Sequence, residues 1–166
     1  MADDPPIGLG ATMEGWDAVL RAIRAEEDGK DLRKELAKNL REELKPAAAE
    51  AKTGIMSMSA SMTESPGLRS SIAKKIRPEV KLGGRWTGAR VKARKIQGIR
   101  GFANAPKRTQ RAGGWRTKNF GRDSWRTQHG KVDWFDRAMQ PESPRYKAAV
   151  AAALEAMAAR IAARSR

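Results

Sequence analysis

Apolar residues recur at every fourth position through DLRKELAKNLREELKPAAAEAK, as Leu32, Leu36, Leu40 and Leu44, with Lys, Arg and Glu between them. That spacing predicts a long helix with one buried stripe, and Asp31 is placed to cap its start. Pro46 falls inside the pattern, where it removes a helical hydrogen bond and clashes with the preceding turn at a cost of about 3 kcal/mol. A bend is therefore expected near residues 42–46, with the helix resuming over 47–51. Upstream, Trp16, Val19, Leu20 and Ile23 form a short amphipathic turn. Before them, Pro5, Pro6, Gly8 and Gly10 mark residues 1–10 as a loose arm, which leaves 11–166 as a single domain.

Beyond the long helix, TGIMSMSASMTESPG has the composition of a linker. Its Met56, Met58 and Met62 alternate with serines at strand-like spacing, but are read as belonging to a flexible loop whose thioethers fill gaps in a neighbour. Leu68, Ile72 and Ile76 at spacing four predict a second, shorter helix closed by Pro78. Val80, Leu82, Trp86, Val91 and Ile96, punctuated by Gly83-Gly84 and Gly98, suggest two strands joined by a turn. Residues 100–114 lack periodicity and are expected to be a mobile basic loop, with Lys107, Arg108 and Arg111 repelling one another and Phe102 as its one large apolar anchor. A hairpin is expected next, with strands over 115–120 and 124–129. Tyr146, Val150, Leu154, Met157 and Ile161 share one face of an alanine-rich C-terminal helix of about five turns. The fold class is α+β: a long N-terminal and a C-terminal helix packed on a small antiparallel sheet.

Composition sharpens this picture in two places. Residues 113–136 hold three of the five Trp and two of the three Phe. Rings concentrated in so short a basic segment mark a packing nucleus or a contact surface. Trp115, Phe120, Trp125, Trp134 and Phe135 lie too close in sequence for one small core to bury them all easily, so they are candidates for a subunit or partner interface. The second signal is charge: 34 Lys and Arg stand against 19 Asp and Glu, a net +15 with a pI near 10.8, which calls for an anionic partner. Between residues 69 and 137 about twenty basic residues face about four acidic ones. Arg90, Lys92 and Arg94 alternate, which on a strand puts them on one face. With Trp86, Trp115 and Trp125 interleaved, the band suits single-stranded nucleic acid through stacking and phosphate contacts, or equally a positive rim docked on acidic protein. No RNP pattern, zinc finger or basic-leucine heptad is present.

Catalytic chemistry finds little to build on. The chain has no Cys and one His, so thiolate catalysis, disulfides and Cys-ligated zinc are excluded, and His129, between Gln128 and Gly130, reads as a turn histidine. Glu42 and Glu43 sit among Arg33, Lys38 and Lys45 as solvated ion pairs. Asp123, Asp133 and Asp136 are expected to pair with Arg122, Arg126 or Arg137. Neither GLGATMEG nor Gly83-Gly84 makes a phosphate loop. No catalytic, metal or cofactor residue is assigned. The acidic start does not read as a secretory leader, and no stretch approaches the roughly 20 apolar residues that span a bilayer, so no membrane partner is expected.

Trp115-Arg116, then Phe120-Gly121, Trp125 through Gln128, and Trp134-Phe135, form a spacing that resembles the neck or tail-completion proteins of long-tailed bacteriophages. The likeness extends from about Leu32 onward: the leucine stripe with Pro46, Gly67-Leu68-Arg69 with Ile72, the small sheet over 80–96, and the alanine-rich helix over 146–161. Where members carry His-Pro after the Trp-Arg pair, this chain has Thr117-Lys118. The resemblance implies a non-enzymatic virion protein of the head–tail junction, assembled in the host cytoplasm into a ring of roughly six or twelve copies around the DNA channel. Its partners would be the head connector or stopper, the tail terminator and the genomic DNA. A strongly positive lumen would grip DNA. The basic band is therefore expected against acidic rings or the outer surface, with the 100–114 loop as the DNA contact. The alternative is a basic nucleic-acid-binding protein without enzymatic activity.

Overall fold

A computed structural model describes residues 8–11, 15–59, 67–84, 86–97, 102–119 and 121–164, the first of these stretches as backbone only. Among them are seven helices and two small antiparallel sheets, an α+β fold. The first strand, β1 (Gly8–Ala11), falls largely within the expected loose arm, which to that extent is structured. Helix α1 (Trp16–Ala25) buries Trp16, Leu20 and Ile23, and helix α2 (Gly29–Glu43) buries Leu32, Leu36 and Leu40. Leu44 is buried at the break, and α3 (Lys45–Met56) begins there with Pro46 in its first turn. A proline amide needs no partner in that position, so the bend expected near 42–46 is the boundary between two helices.

Asp31 does not cap α2. The helix starts three residues earlier than that cap would place it, behind Asp28, and Asp31 lies in its first turn, paired with Lys34 at 3.0 Å. The Asp28 carboxylate makes no capping bond and instead accepts from Arg164 at 2.8 and 3.0 Å. Arg160 likewise donates to Glu35. Both partners lie on α7 (Ser143–Arg164), the expected C-terminal helix, which therefore runs antiparallel to α2. Its Tyr146, Val150, Leu154, Met157 and Ile161 are all buried.

The linker is shorter than its composition suggests. Helix α3 extends to Met56 and Met58 is buried, while Met62 lies outside the described residues. Helix α4 (Gly67–Lys74) stops before Ile76, so Pro78 closes no helix. It sits inside strand β2 (Ile76–Lys81). That strand is an edge of the sheet ordered β1-β3-β2, the location in which a proline's missing N–H costs no ladder bond. The central strand β3 (Gly88–Ala93) pairs antiparallel with both neighbours. Ala89, Val91 and Ala93 of β3, with Ile76 of β2, are buried beneath the helical layer of α2 and α3.

All the buried apolar side chains belong to a single cluster running from Trp16 to Ile161. The alanines of α3 and the leucine stripe of α2 let helices close on one another, and the core is continuous.

Candidate interaction surfaces

The aromatic segment divides between core and surface. Strands β4 (Trp115–Lys118) and β5 (Trp125–Gln128) form the expected hairpin, with Trp115 opposite Gln128 and Lys118 opposite Trp125. Opposed residues share a face and successive residues along a strand do not, so Trp115, opposite Gln128, and Trp125, three residues before it, lie on opposite sides. Trp115 turns inward onto Phe102, their ring centroids 5.2 Å apart. Trp125 turns outward beside Arg116, Lys118 and Thr127, all exposed, and keeps 56% of its surface. The Arg116 guanidinium lies 5.6 Å from its ring centre, and Lys118 pairs with Asp123 at 2.7 Å. Gly114, at φ 62°, brings the chain so close to the Gln128 carbonyl that a Cβ would collide with it.

Trp134 and Phe135 are not interface residues. Helix α6 (Trp134–Met139) packs on α3, both rings are 1% exposed, and they meet edge to face at 5.6 Å. The cause is a change of element, because the segment leaves the hairpin at Gln128 and re-enters the core as a helix. Phe120 lies outside the described residues.

Nor is the 100–114 stretch an unanchored loop. Residues 98–101 lie outside the described set, but 105–110 form helix α5 (Ala105–Gln110), with Ala105, Pro106 and Thr109 buried. Polar bonds fasten it to α6. Trp134 Nε1 donates to Thr109 Oγ1 at 3.2 Å, and that hydroxyl donates to the Ala105 carbonyl at 2.9 Å. Gln110 donates to Asp136 at 2.8 Å and accepts from the Phe135 amide at 2.9 Å. Burial, then the charge of Asp133, raises the Asp136 pKa above the ordinary aspartate value. The expected arginine pairs of this region give way to Gln110 for Asp136 and Lys118 for Asp123. Of the three cations assigned to the loop, Lys107 and Arg108 are half-buried, Arg108 lying 5.5 Å from the Phe102 ring centre, and Arg111 is exposed. His129 sits in the turn after β5, Nδ1 3.3 Å from the Ala112 carbonyl oxygen.

Arg90, Lys92 and Arg94 do share one face, and they converge on a residue that sequence reasoning passed over. Glu79 of β2 stands opposite Arg90 and binds all three, at 2.5 Å from Arg90, 3.0 Å from Arg94 and 3.7 Å from Lys92. Burial pushes its pKa up, but the hydrogen bonds and charge of Arg90, then the charges of Lys92 and Arg94, outweigh that and hold it below the usual glutamate value. Arg90 also lies 4.1 Å from the centre of the Trp86 ring, with Lys81 at 5.9 Å. Glu79 is the one acidic residue between positions 65 and 122. A lone carboxylate in a basic band, in register with alternating cations on the next strand, was the signal that could have found it.

Among the described residues no three His, Asp or Glu side chains gather as a metal site, and no helix is long and apolar enough to cross a membrane. A crevice of about 520 Å³ at the α1–α2 turn is lined by Glu26, Glu27, Asp28 and Asp31 interleaved with Arg24, Lys30, Arg33 and Lys34, with neither His nor Ser among its walls. That lining is a mesh of opposite charges. No protein-family profile, curated protein or solved structure matches the chain.

Proposed function

We propose that this chain is a structural subunit of the head–tail junction of a long-tailed bacteriophage, closing with copies of itself into a ring around the DNA channel and joining the head connector to the tail. The observation that carries the reading is the outward face of the β4–β5 hairpin. A two-stranded hairpin is marginal in water by itself, yet this one displays Trp125, more than half exposed, among Arg116, Lys118 and Thr127. Tryptophan and arginine together are the residues most often found at the centre of protein interfaces. Copies joined head to tail through such a surface close into a ring when the rotation allows. The order of elements agrees: a leucine-striped helix broken at Pro46, the Gly67-Leu68-Arg69 helix, a small antiparallel sheet and an alanine-rich final helix.

Averaged electron micrographs of the purified protein test the proposal. Closed rings with an open centre are expected. A particle that stays monomeric at every concentration, while binding DNA tightly, would select a free nucleic-acid-binding protein instead.

A further inference from the structure

The outward face of the three-stranded sheet carries more positive charge than its own fold can use. Arg77, Glu79 and Lys81 of β2, Arg90 and Lys92 of β3, and Arg94 just beyond it form that face, five cations to one carboxylate. Arg77 stands directly opposite Lys92, an arrangement of like charges that weakens strand pairing. Among the described residues of this face Glu79, 13% exposed, is the one carboxylate; it serves Arg90 and Lys92, whose side chains keep 22% and 19% of their surface, and Arg94, while Arg77 and Lys81 are exposed. Charge placed against the interest of folding points to a ligand outside the subunit.

Three features define that ligand. Arg90 and Lys92 of β3, with Arg94 just beyond it, bring their charged groups together around Glu79, a dense cluster of cations suited to a polymer whose negative charges are closely spaced. Among the described residues, strand β1 meets this face with Gly8 and Gly10, opposite Lys92 and Arg90, which add backbone without side chains beside the cations. The Trp86 ring makes its cation contact within the subunit, with Arg90 at 4.1 Å and Lys81 at 5.9 Å from its centre. The site therefore addresses phosphates and leaves bases unread.

We propose that this sheet face is a sequence-independent binding surface for the backbone of double-stranded DNA, on which Arg77, Arg90, Lys92 and Arg94 meet phosphates and Glu79 is a positioning residue that holds the guanidinium groups together. The surface belongs to the single subunit and stands whether or not copies close into a ring. Glu79 also competes with phosphate for the same cations. That competition moderates the grip, as a duplex that must slide requires.

Fluorescence anisotropy with labelled duplexes of two unrelated sequences, over a range of salt, tests it. Arg90→Gln/Lys92→Gln/Arg94→Gln is expected to lower affinity for both duplexes alike by at least about tenfold at low salt and to flatten the log–log salt slope by up to about 3. Lys38→Gln/Arg41→Gln/Lys52→Gln removes the same charge from exposed helical positions and is expected to change affinity no more than about threefold. Glu79→Gln is expected to bind DNA more tightly. Arg77→Gln/Lys81→Gln, which leaves the Glu79 cluster intact, is expected to flatten the slope by about 2, and keeps the test decisive if the triple variant folds poorly. Equal losses from the two triple variants would mean diffuse attraction and overturn the assignment. So would a preference for single strands, or displacement of duplex by polyglutamate at equal charge. Sedimentation of each variant is read separately, so unchanged DNA binding by the sheet-face variants rejects this surface and spares the assembly reading, whereas native protein that binds DNA without forming rings rejects the assembly reading and spares the surface.

Discussion

Replacing Thr109 by Val removes one hydroxyl and almost nothing else, since both side chains are β-branched and of similar shape. Thr109 is fully buried in α5, a helix of six residues that the sequence alone would leave as loop. Its Oγ1 donates to the Ala105 carbonyl at 2.9 Å and accepts from Trp134 Nε1 at 3.2 Å. The variant forfeits an intramolecular hydrogen bond, about 0.5 to 1.5 kcal/mol, and strands an indole N–H in the core, about 1 to 3 kcal/mol more. The Ala105 carbonyl keeps its role in the helix, so the expected loss is about 1.5 to 4.5 kcal/mol. Denaturant unfolding followed by tryptophan fluorescence and far-ultraviolet dichroism measures it, with an unchanged m-value. Trp134→Phe removes the stranded donor. In that background Thr109→Val should cost less by about 1 to 3 kcal/mol, the coupling of the pair. A loss below about 0.5 kcal/mol, or the same loss with and without the indole, would refute the view that polar bonds to α6 order the basic segment.

Two further outcomes follow from the core. Leu40→Ala, at a position with no exposed surface, should cost about 2 to 5 kcal/mol, and an unchanged melting curve would show that the stripe of α2 faces elsewhere. Tyr146 is the single tyrosine. Burial first, and then the nearby Glu50, to which its hydroxyl makes no well-formed hydrogen bond, push its pKa up to about 12. A raised phenol pKa favours the folded state below pH 10 and loses that contribution as pH climbs from about 10 to about 12. The phenolate absorbance should therefore rise near pH 12 in the native protein and near pH 10 in denaturant. A native midpoint at pH 10 would contradict the buried placement.

Periodicity makes the helical stripes of α1, α2 and α7 legible in the sequence. Leu32, Leu36 and Leu40 kept their face, the C-terminal stripe kept all five of its members, and Pro46 marked the break, because each depends on local spacing that tertiary context did not override. Three readings failed where long-range geometry decides. Ile76 continues a spacing of four yet belongs to a strand, since the edge of a sheet accepts Pro78 as readily as a helix end does. Residues 105–110 were judged by their scarcity of apolar anchors, whereas Thr109 and Gln110 hold them through bonds to residues some 25 positions away. Trp134 and Phe135 were grouped with the hairpin by proximity in sequence, and the intervening turn at Lys131 to Asp133 carries them into the core instead. Of the candidate site, the alternation of Arg90, Lys92 and Arg94 was readable, but Glu79 became visible only once β2 was in register with β3.

Sedimentation velocity of the native protein beside Trp125→Ala tests the central claim most directly. Because Trp125 is the outward ring of the hairpin and lies outside the core cluster, its loss should alter subunit stability by about 0.5 kcal/mol or less. The account predicts a discrete closed oligomer for the native chain and a folded monomer with an unchanged melting temperature for the variant. A native protein that never assembles, or a variant that assembles as the native chain does, would contradict it.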